Sequence, residues 1–515
     1  MTMEKPHDLP QNLMQCHEII RKLIAELGKV HQLNEKLEHR LEQLLRAKYG
    51  PRSEKIDENQ LLLFAKEILE QTEEEKTEAP PEEEPVPPKK RKGHGRKPRP
   101  DLPRERVEHD LPEEEKTCSC CGGERVRIGE EVSEQLEFVP AVVKILEHVR
   151  FKYACPKCEE GVTTAPKPSQ PIEKGLPGPG LLAQVVVSKF ADHLPLHRQQ
   201  QMFERYGLDL SRSTLCDWMK KAADLLAILF KKMKRETLFS AVLHTDDTPV
   251  QVQDRAKRRK TRQGRAWVYV GDPQHPYTIF DYTPDRSRDG PAQFLGKYKG
   301  YLQADAYPGY DRLYASGDII EVACWAHARR KFKEAITTDP ERGHLALAYI
   351  AQLYSVERLA TEEKRDAEGR RALRQEKSVP VLQSLHHWLL AQKQGVLPKS
   401  PIGEAVGYAL NHWEALCRYT ENGILSIDNN RAEQAIRPIA LGRKNWLFFG
   451  SDNGGRTASI LLSFVQTCKD LGKNPFTYLG DIFSRLPDHP HTRLEELLPD
   501  RWTDPSPPSD SNPNP

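Results

Sequence analysis

The chain has 515 residues, with 77 Lys and Arg against 75 Asp and Glu, so its formal net charge is only +2. At roughly 100–200 residues per domain, that length implies several domains and enough material for at least one full core. No apolar run reaches the roughly 18–20 residues of a membrane span, and Met1 to Pro10 has no charged-then-apolar leader, which argues against membrane insertion and export. Ten cysteines are too sparse for a disulfide scaffold, and four of them form two close pairs, which points to a reducing compartment and one metal site. Of the 40 prolines, 22 fall in residues 79–112, 166–179 and 487–515, marking linkers and a tail.

Residues 10–72 read as a leucine-rich helix. Within it, Leu13, Ile20, Leu27, Asn34, Leu41 and Lys48 occupy heptad positions a, and Cys16, Leu23, Val30, Leu37 and Leu44 occupy positions d, eight of the eleven being aliphatic. That pattern predicts a coiled coil joining protomers into a homodimer or higher oligomer, with Asn34 fixing register; an amphipathic helix packed within its own chain would carry the same stripe. Residues 73–112 form a charged, Pro-rich linker that switches from Glu73–Glu84 to Lys89–Arg99. Arg96, Lys97 and Arg99 suit DNA phosphates or a narrow minor groove, although the two halves of the linker also attract each other.

Residues 113–166 contain Cys118-x-x-Cys121 and Cys155-x-x-Cys158 around a strand-like stretch. Two such hooks fit a tetrahedral Zn²⁺, and four thiolates leave no open position for substrate, so this zinc is structural. Cys120 stands beside Cys121 as an alternative ligand. Residues 180–235 read as helical. The stretch from Gly207 to Leu215 is similar to the turn of a helix-turn-helix, with Ser211 or Ser213 capping a second helix through Trp218 and Met219. A plain helical packing unit would read the same way.

From residue 238 to 450 the pattern becomes α/β. Strands are predicted at Ser240–His244, Ala266–Val270, Tyr277–Tyr282, Tyr301–Ala304 and Ile319–Cys324, the first three joined by short turns and the rest alternating with helices. That order gives a mixed sheet covered by helices. Asp246 and Asp305 each follow a strand, so on neighbouring strands both carboxylates leave one edge of the sheet. Hard oxygen ligands of this kind suit Mg²⁺ or Mn²⁺, and two ions about 3.5–4 Å apart clamp both oxygens of an in-line displacement. Glu433 is the candidate third ligand, just inside a helix capped by Asp428 or Asn429. Arg437, four residues on, either meets phosphate or pairs with Glu433. Arg258, Arg259 and Lys260, within a basic run from Arg255 to Arg265, suit DNA at a hairpin tip, as do Arg329, Arg330 and Lys331 at the start of a helix. His327 in that helix is either a structural hydrogen-bonding residue or a support for the acidic site.

Four ordered motifs resemble those of the insertion-sequence-66 family of bacterial transposases. They are His244-Thr245-Asp246-Asp247-Thr248-Pro249-Val250, Gln303-Ala304-Asp305-Ala306-Tyr307-Pro308-Gly309-Tyr310, Cys324-Trp325-Ala326-His327-Ala328-Arg329-Arg330-Lys331-Phe332 and Asp428-Asn429-Asn430-Arg431-Ala432-Glu433-Gln434-Ala435-Ile436-Arg437-Pro438. The leucine-rich helix, basic linker, zinc segment and helix-turn-helix-like region fit the same family. The resemblance implies an RNase H-like core with a DDE triad of Asp246, Asp305 and Glu433, interrupted by a helical insertion at 335–420. A C-terminal helical segment at 451–486 and a disordered tail at 487–515 follow. The implied activity is metal-dependent cleavage and strand transfer of an insertion sequence, first by water and then by the freed 3′-hydroxyl. Element ends and target DNA are the implied partners, other proteins of the element possible ones, and the bacterial cytoplasm and nucleoid the implied location. The competing reading is a DNA-binding regulator or accessory protein with an inactive core.

Overall fold

The computed structural model describes residues 143–153, 163–165, 168–254 and 260–505. The chain divides into two units, and residues 148–505 belong to the larger one. The coiled-coil helix, the linker with Arg96, Lys97 and Arg99, the hooks Cys118, Cys121, Cys155 and Cys158, and Arg258, Arg259 and the side chain of Lys260 lie outside the described residues. From the zinc segment, a two-residue antiparallel ladder is described, Lys152–Tyr153 with Thr163–Thr164, and the chain between its strands carries the second cysteine hook.

Three helices lead into the core: α1 (Pro179–Phe190), α2 (Leu196–Arg205) and α3 (Arg212–Thr237). Gly207 takes φ +77° in the turn after α2, a left-handed conformation that glycine adopts without a Cβ penalty. The Ser211 hydroxyl then caps α3 by accepting from the Thr214 N–H at 3.2 Å. α3 runs for 26 residues and buries Leu215, Trp218, Met219, Ala222, Leu226, Leu229 and Met233 along one face. Arg212 and Lys220 stay exposed, and Lys221 pairs with Asp217 at 2.7 Å.

The five strands are β1 (Val242–Asp254), β2 (Lys260–Val270), β3 (Thr278–Thr283), β4 (Gly300–Gln303) and β5 (Ile319–Val322). Their spatial order is β3-β2-β1-β4-β5. The first three are antiparallel; β4 runs parallel to β1, and β5 parallel to β4. Connection length explains the mixture: short links return β1 to β2 and β2 to β3, whereas the crossover through α4 (Asp289–Leu295) returns β4 in the direction of β1.

The strand pairing corrects one expectation. β1 does not end at Asp246 and Asp247 but continues through them to Asp254, because β2 pairs with it all the way from His244↔Val270 to Asp254↔Lys260. What ends there is the pairing on the other side of β1, where β4 stops at Gln303 opposite His244.

A second core forms around α5 (Trp325–Ala335), α6 (Pro340–Glu362), α7 (Val379–Gly395) and α8 (Pro401–Asn411). Within this helical region Arg374 is wholly buried. Its guanidinium forks onto Glu357 with two 2.7 Å bonds and donates to the carbonyls of Tyr419, Asn422 and Leu425. Five bonds satisfy a charge that would otherwise be costly to bury, and they fix the backbone leading into α9 (Asn430–Trp446).

The edge strand β3 is closed by α10 (Asp452–Asp470). Phe280 N–H donates to Ser463 Oγ at 2.8 Å and Thr278 N–H to Thr467 Oγ1 at 3.1 Å, so side chains one helical turn apart consume donors an edge strand would otherwise expose. Close approach requires Gly455, where an added Cβ would lie 2.6 Å from the Tyr282 ring. After α11 (Pro475–Arg485) the expected disordered tail is instead packed as far as Trp502. Leu494, Leu497, Leu498 and Trp502 are buried; Tyr478 donates to the Leu497 carbonyl at 2.7 Å, and Trp502 Nε1–H to Asp481 at 2.8 Å. The prolines there disfavour regular helix yet permit the 3₁₀ turn His491–Leu497, whose leucines face the core. Residues 506–515 lie outside the described residues.

Candidate active site

Strand register brings the two aspartates together. His244 lies opposite Gln303 in the parallel β1–β4 pair. Asp246 and Asp305 each lie two residues further on, and a two-residue step restores the same face of a sheet. Carboxylate oxygens of Asp246, Asp247 and Asp305 all lie within 4.8 Å of one another.

Glu433, on α9, lies near enough to raise both aspartates through its charge, and its ligand atom groups with those of His327 and Cys324. Asn429 occupies the N-cap, but its side chain makes no capping bond. Its amide turns into the core instead, where it is wholly buried. Asn429 Nδ2–H donates to the Thr245 carbonyl at 2.8 Å, which leaves Asn429 Oδ1 to accept from His244 Nδ1–H at 3.2 Å. The Asn429 backbone N–H donates to Cys324 Sγ at 3.2 Å. One residue thus ties the start of the Glu433 helix both to β1, next to Asp246, and to the start of α5. The far end of α9 is tied too, by Arg443 donating to Thr248 Oγ1 at 2.9 Å and to the Pro249 carbonyl at 2.7 Å. Asp428 takes the local turn bond, accepting from Asn430 N–H at 3.1 Å, and also accepts from the distant Tyr354 OH at 3.0 Å.

The adjacent aspartates have opposite surroundings. The Asp247 side chain is 2% exposed and is held by Arg265 at 2.9 Å and Arg286 at 2.8 Å. Arg286 lies over the Tyr307 ring at 4.2 Å, and its guanidinium is 3.9 Å from Asp305. Asp246 accepts only the Asp247 N–H, at 2.8 Å. Burial pushes its carboxyl up to about 7, and the Asp305, Asp247 and Glu433 charges push the same way. Burial also raises Asp305, against the lowering influence of the nearby His327 and Arg286. Asp247 is therefore already neutralised by protein, whereas Asp246 carries unfavourable charge that a cation would relieve. His244, wholly buried beneath the site, is held down at about 4, first by burial and then by Arg431, so it stays neutral and keeps its bond to Asn429.

The donor set fits divalent cations. Its oxygens are hard carboxylates, and Glu433 Oε1 is buried without a hydrogen-bond partner. His327 faces it, Nδ1 to Oε1 at 3.7 Å, and His327 Nδ1 is likewise buried and unpartnered. Asp246, Asp305 and Glu433 would hold such ions.

The basic residues are distributed unevenly. Arg330 and Arg437 are exposed and Arg329 half-buried, whereas Lys331 packs over the Tyr408 ring at 5.1 Å. Arg437 shares the exposed stripe of α9 with Lys444, seven residues on. Two members of the expected basic hairpin run are committed elsewhere: Arg265 to Asp247, and Arg262 to Asp452. The sequence pattern gives no hint of Arg286 or of the inward-facing Asn429 amide. Asn429 lies inside one of the four motifs, but Arg286 sits in a loop with no local signal. Among the described residues no helix is long and apolar enough to cross a membrane.

Comparison with known proteins agrees along the whole chain. Residues 174–457 match the model described as transposase IS66 family, and residues 115–159 match the zinc-finger binding domain of transposase IS66. Residues 463–499 match the IS66 C-terminal element, and residues 36–107 the model described as transposase C of IS166 homeodomain. Among relatives, the uncharacterized protein y4hP of Sinorhizobium fredii is 36% identical over 496 residues, covering 90% of this chain and 88% of the relative. The uncharacterized protein y4qI of the same organism is 33% identical over 481 residues, covering 89% and 87%. This chain belongs to the IS66 family of DDE transposases, with DNA as its partner and a divalent metal implied at the acidic site.

Proposed function

We propose that this transposase cuts DNA at the ends of its insertion sequence and joins the freed ends to target DNA at the site formed by Asp246, Asp305 and Glu433. The observation that carries the reading is the juxtaposition of Asp246 on β1 with Asp305 past the end of β4, with Glu433 on α9 near enough to influence both charges and Asp246 held by no basic side chain. The sheet order, with Asp246 on the central strand and Asp305 just past its parallel neighbour, supports an RNase H-like core.

Bound Mg²⁺ or Mn²⁺, two ions in all, would supply Lewis acidity and orient the attacking and leaving oxygens of an in-line phosphoryl transfer. The protein's own work is positioning. Asp247, clamped by Arg265 and Arg286, fixes the backbone that presents Asp246. Asn429 holds Glu433's helix against β1. Exposed Arg330 and Arg437 suit phosphates leading to the acids, in company with Arg96, Lys97, Arg99, Arg258, Arg259 and Lys260 elsewhere in the chain. A structural Zn²⁺ on Cys118, Cys121, Cys155 and Cys158 would brace the DNA-recognition part, and the N-terminal heptads would pair protomers for synapsis of two ends. Such a protein works on the bacterial nucleoid.

The test is strand transfer by the full chain with its own element ends in Mg²⁺. Asp305→Asn should abolish both cleavage and joining while leaving end binding intact. Unchanged cleavage would refute the assignment. Wild-type protein that binds ends yet never cuts them would favour the regulator reading.

A further inference from the structure

His327 was expected either as a structural hydrogen-bonding residue or as a support for the acids. Its surroundings exclude the first role at Nδ1. The atom is buried, and the group it faces, Glu433 Oε1, is 3.7 Å away. That separation is too long for a hydrogen bond. Two buried polar atoms left in this way are unfavourable, and a common occupant would offset that.

Cys324 completes a cluster in which the three potential ligand atoms lie within 4.8 Å of one another. Its sulfur is already committed, since it accepts the Asn429 N–H at 3.2 Å, and burial pushes the thiol up to about 12. A protonated, hydrogen-bonded thiol is no ligand. His327 and Glu433 remain, with Asp305 close enough for each to influence its charge. Ligand atoms about 2.0–2.2 Å from one ion sit roughly 3–3.6 Å apart, so closure of a few tenths of an ångström would bring both onto one centre. The backbones are already fixed: α5 begins with Trp325 N–H on the Ile427 carbonyl at 3.1 Å, two residues before the Asn429 that anchors α9.

We propose that His327 Nδ1 is a direct ligand, shared with Glu433, of one of the divalent ions at the acidic site. The inference rests on the acidic site read above and adds a nitrogen donor to it. An imidazole changes the ion the site prefers: nitrogen favours first-row transition-metal dications over Mg²⁺, which demands oxygen. The ion at the Glu433 side is therefore of the Mn²⁺ class, while the Asp246–Asp305 side, all carboxylate, takes either.

The probe is Mn²⁺ alone, added to the full-length protein without DNA. Electron spin-echo modulation of the bound Mn²⁺ should carry an imidazole ¹⁴N signature in the wild type and in Cys324→Ala, and lose it in both His327→Ala and His327→Gln. Titration should give a Mn²⁺ affinity at least 10-fold weaker in the His327 variants, with Mg²⁺ affinity changed less than about 3-fold. Absence of the nitrogen signal from the wild type, or its persistence in both His327 variants, overturns the proposal. So does equal weakening of Mg²⁺ and Mn²⁺, which would make His327 a merely structural neighbour. Asp305→Asn separates the two readings: if it leaves Mn²⁺ binding unaltered, the acidic site itself is refuted and this ligand with it.

Discussion

Replacing Asp246 with Asn should stabilise the protein in buffer free of Mg²⁺ and Mn²⁺, even though it removes a residue at the heart of the site. In the folded chain the Asp246 carboxyl is raised from 3.8 to about 7, chiefly by burial. Between pH 4 and pH 7 the native state keeps a proton that the unfolded chain has released. Unfolding therefore becomes easier as pH rises through that window, and the penalty is complete above pH 7. The shift of about three units corresponds to about 4 kcal/mol; because the site opens to solvent on one side, about 2 kcal/mol is the expected net effect. Asn retains the oxygen that accepts the Asp247 N–H, so little else is lost. Thermal unfolding of both proteins at pH 4.5 and pH 8 gives the measurement. The variant should melt a few degrees higher at pH 8 and close to wild type at pH 4.5. Saturating Mg²⁺ should erase the difference by stabilising the wild type alone. A variant less stable than wild type at pH 8, or one equally stabilised at both pH values, would refute the reasoning.

The neighbouring substitution should have the opposite sign. Asp247→Asn removes the charge and one of the two oxygens that hold Arg265 and Arg286 in a spot where the carboxylate is 2% exposed, and should cost about 3 kcal/mol in urea unfolding at pH 8. Asn429→Ala removes the bonds that tie α9 to β1; it should cost about 2–3 kcal/mol and lower strand transfer roughly 100-fold through misplacement of Glu433, read by denaturation and single-turnover cleavage. Ser463→Ala leaves the Phe280 N–H without an acceptor at a covered sheet edge and should cost about 1–3 kcal/mol by the same denaturation assay. Truncation after Leu486 exposes Leu479 and Tyr478 by removing Leu494, Leu497, Leu498 and Trp502; limited proteolysis should then cut α11, which is protected in the intact chain.

What could be read from the sequence is what local chemistry dictates. The strand segments follow from apolar alternation, the Ser211 cap and the Gly207 turn from side-chain and backbone preference, and the choice of Asp246, Asp305 and Glu433 from ordered motifs. Proline and charge runs suggest module boundaries beneath a net charge that says almost nothing. Other features depend on distant partners. Asp246 and Asp247 are the same residue type side by side; only Arg265 across the β1–β2 pair and Arg286 from a remote loop make one a clamped carboxylate and the other an uncompensated one. Asn429 reads as a helix cap, yet its bonds to His244 and to the Thr245 carbonyl on β1 turn its amide inward. A proline-rich end reads as tail until the groove beside α11 accepts its leucines and Trp502. Periodicity and capping act within a few residues of chain, whereas charge compensation and burial are set by groups that only folding brings within hydrogen-bonding distance. Which acids are candidates for the site was therefore proposed by the sequence, and which of the adjacent aspartates is paired with arginine was decided by the tertiary structure.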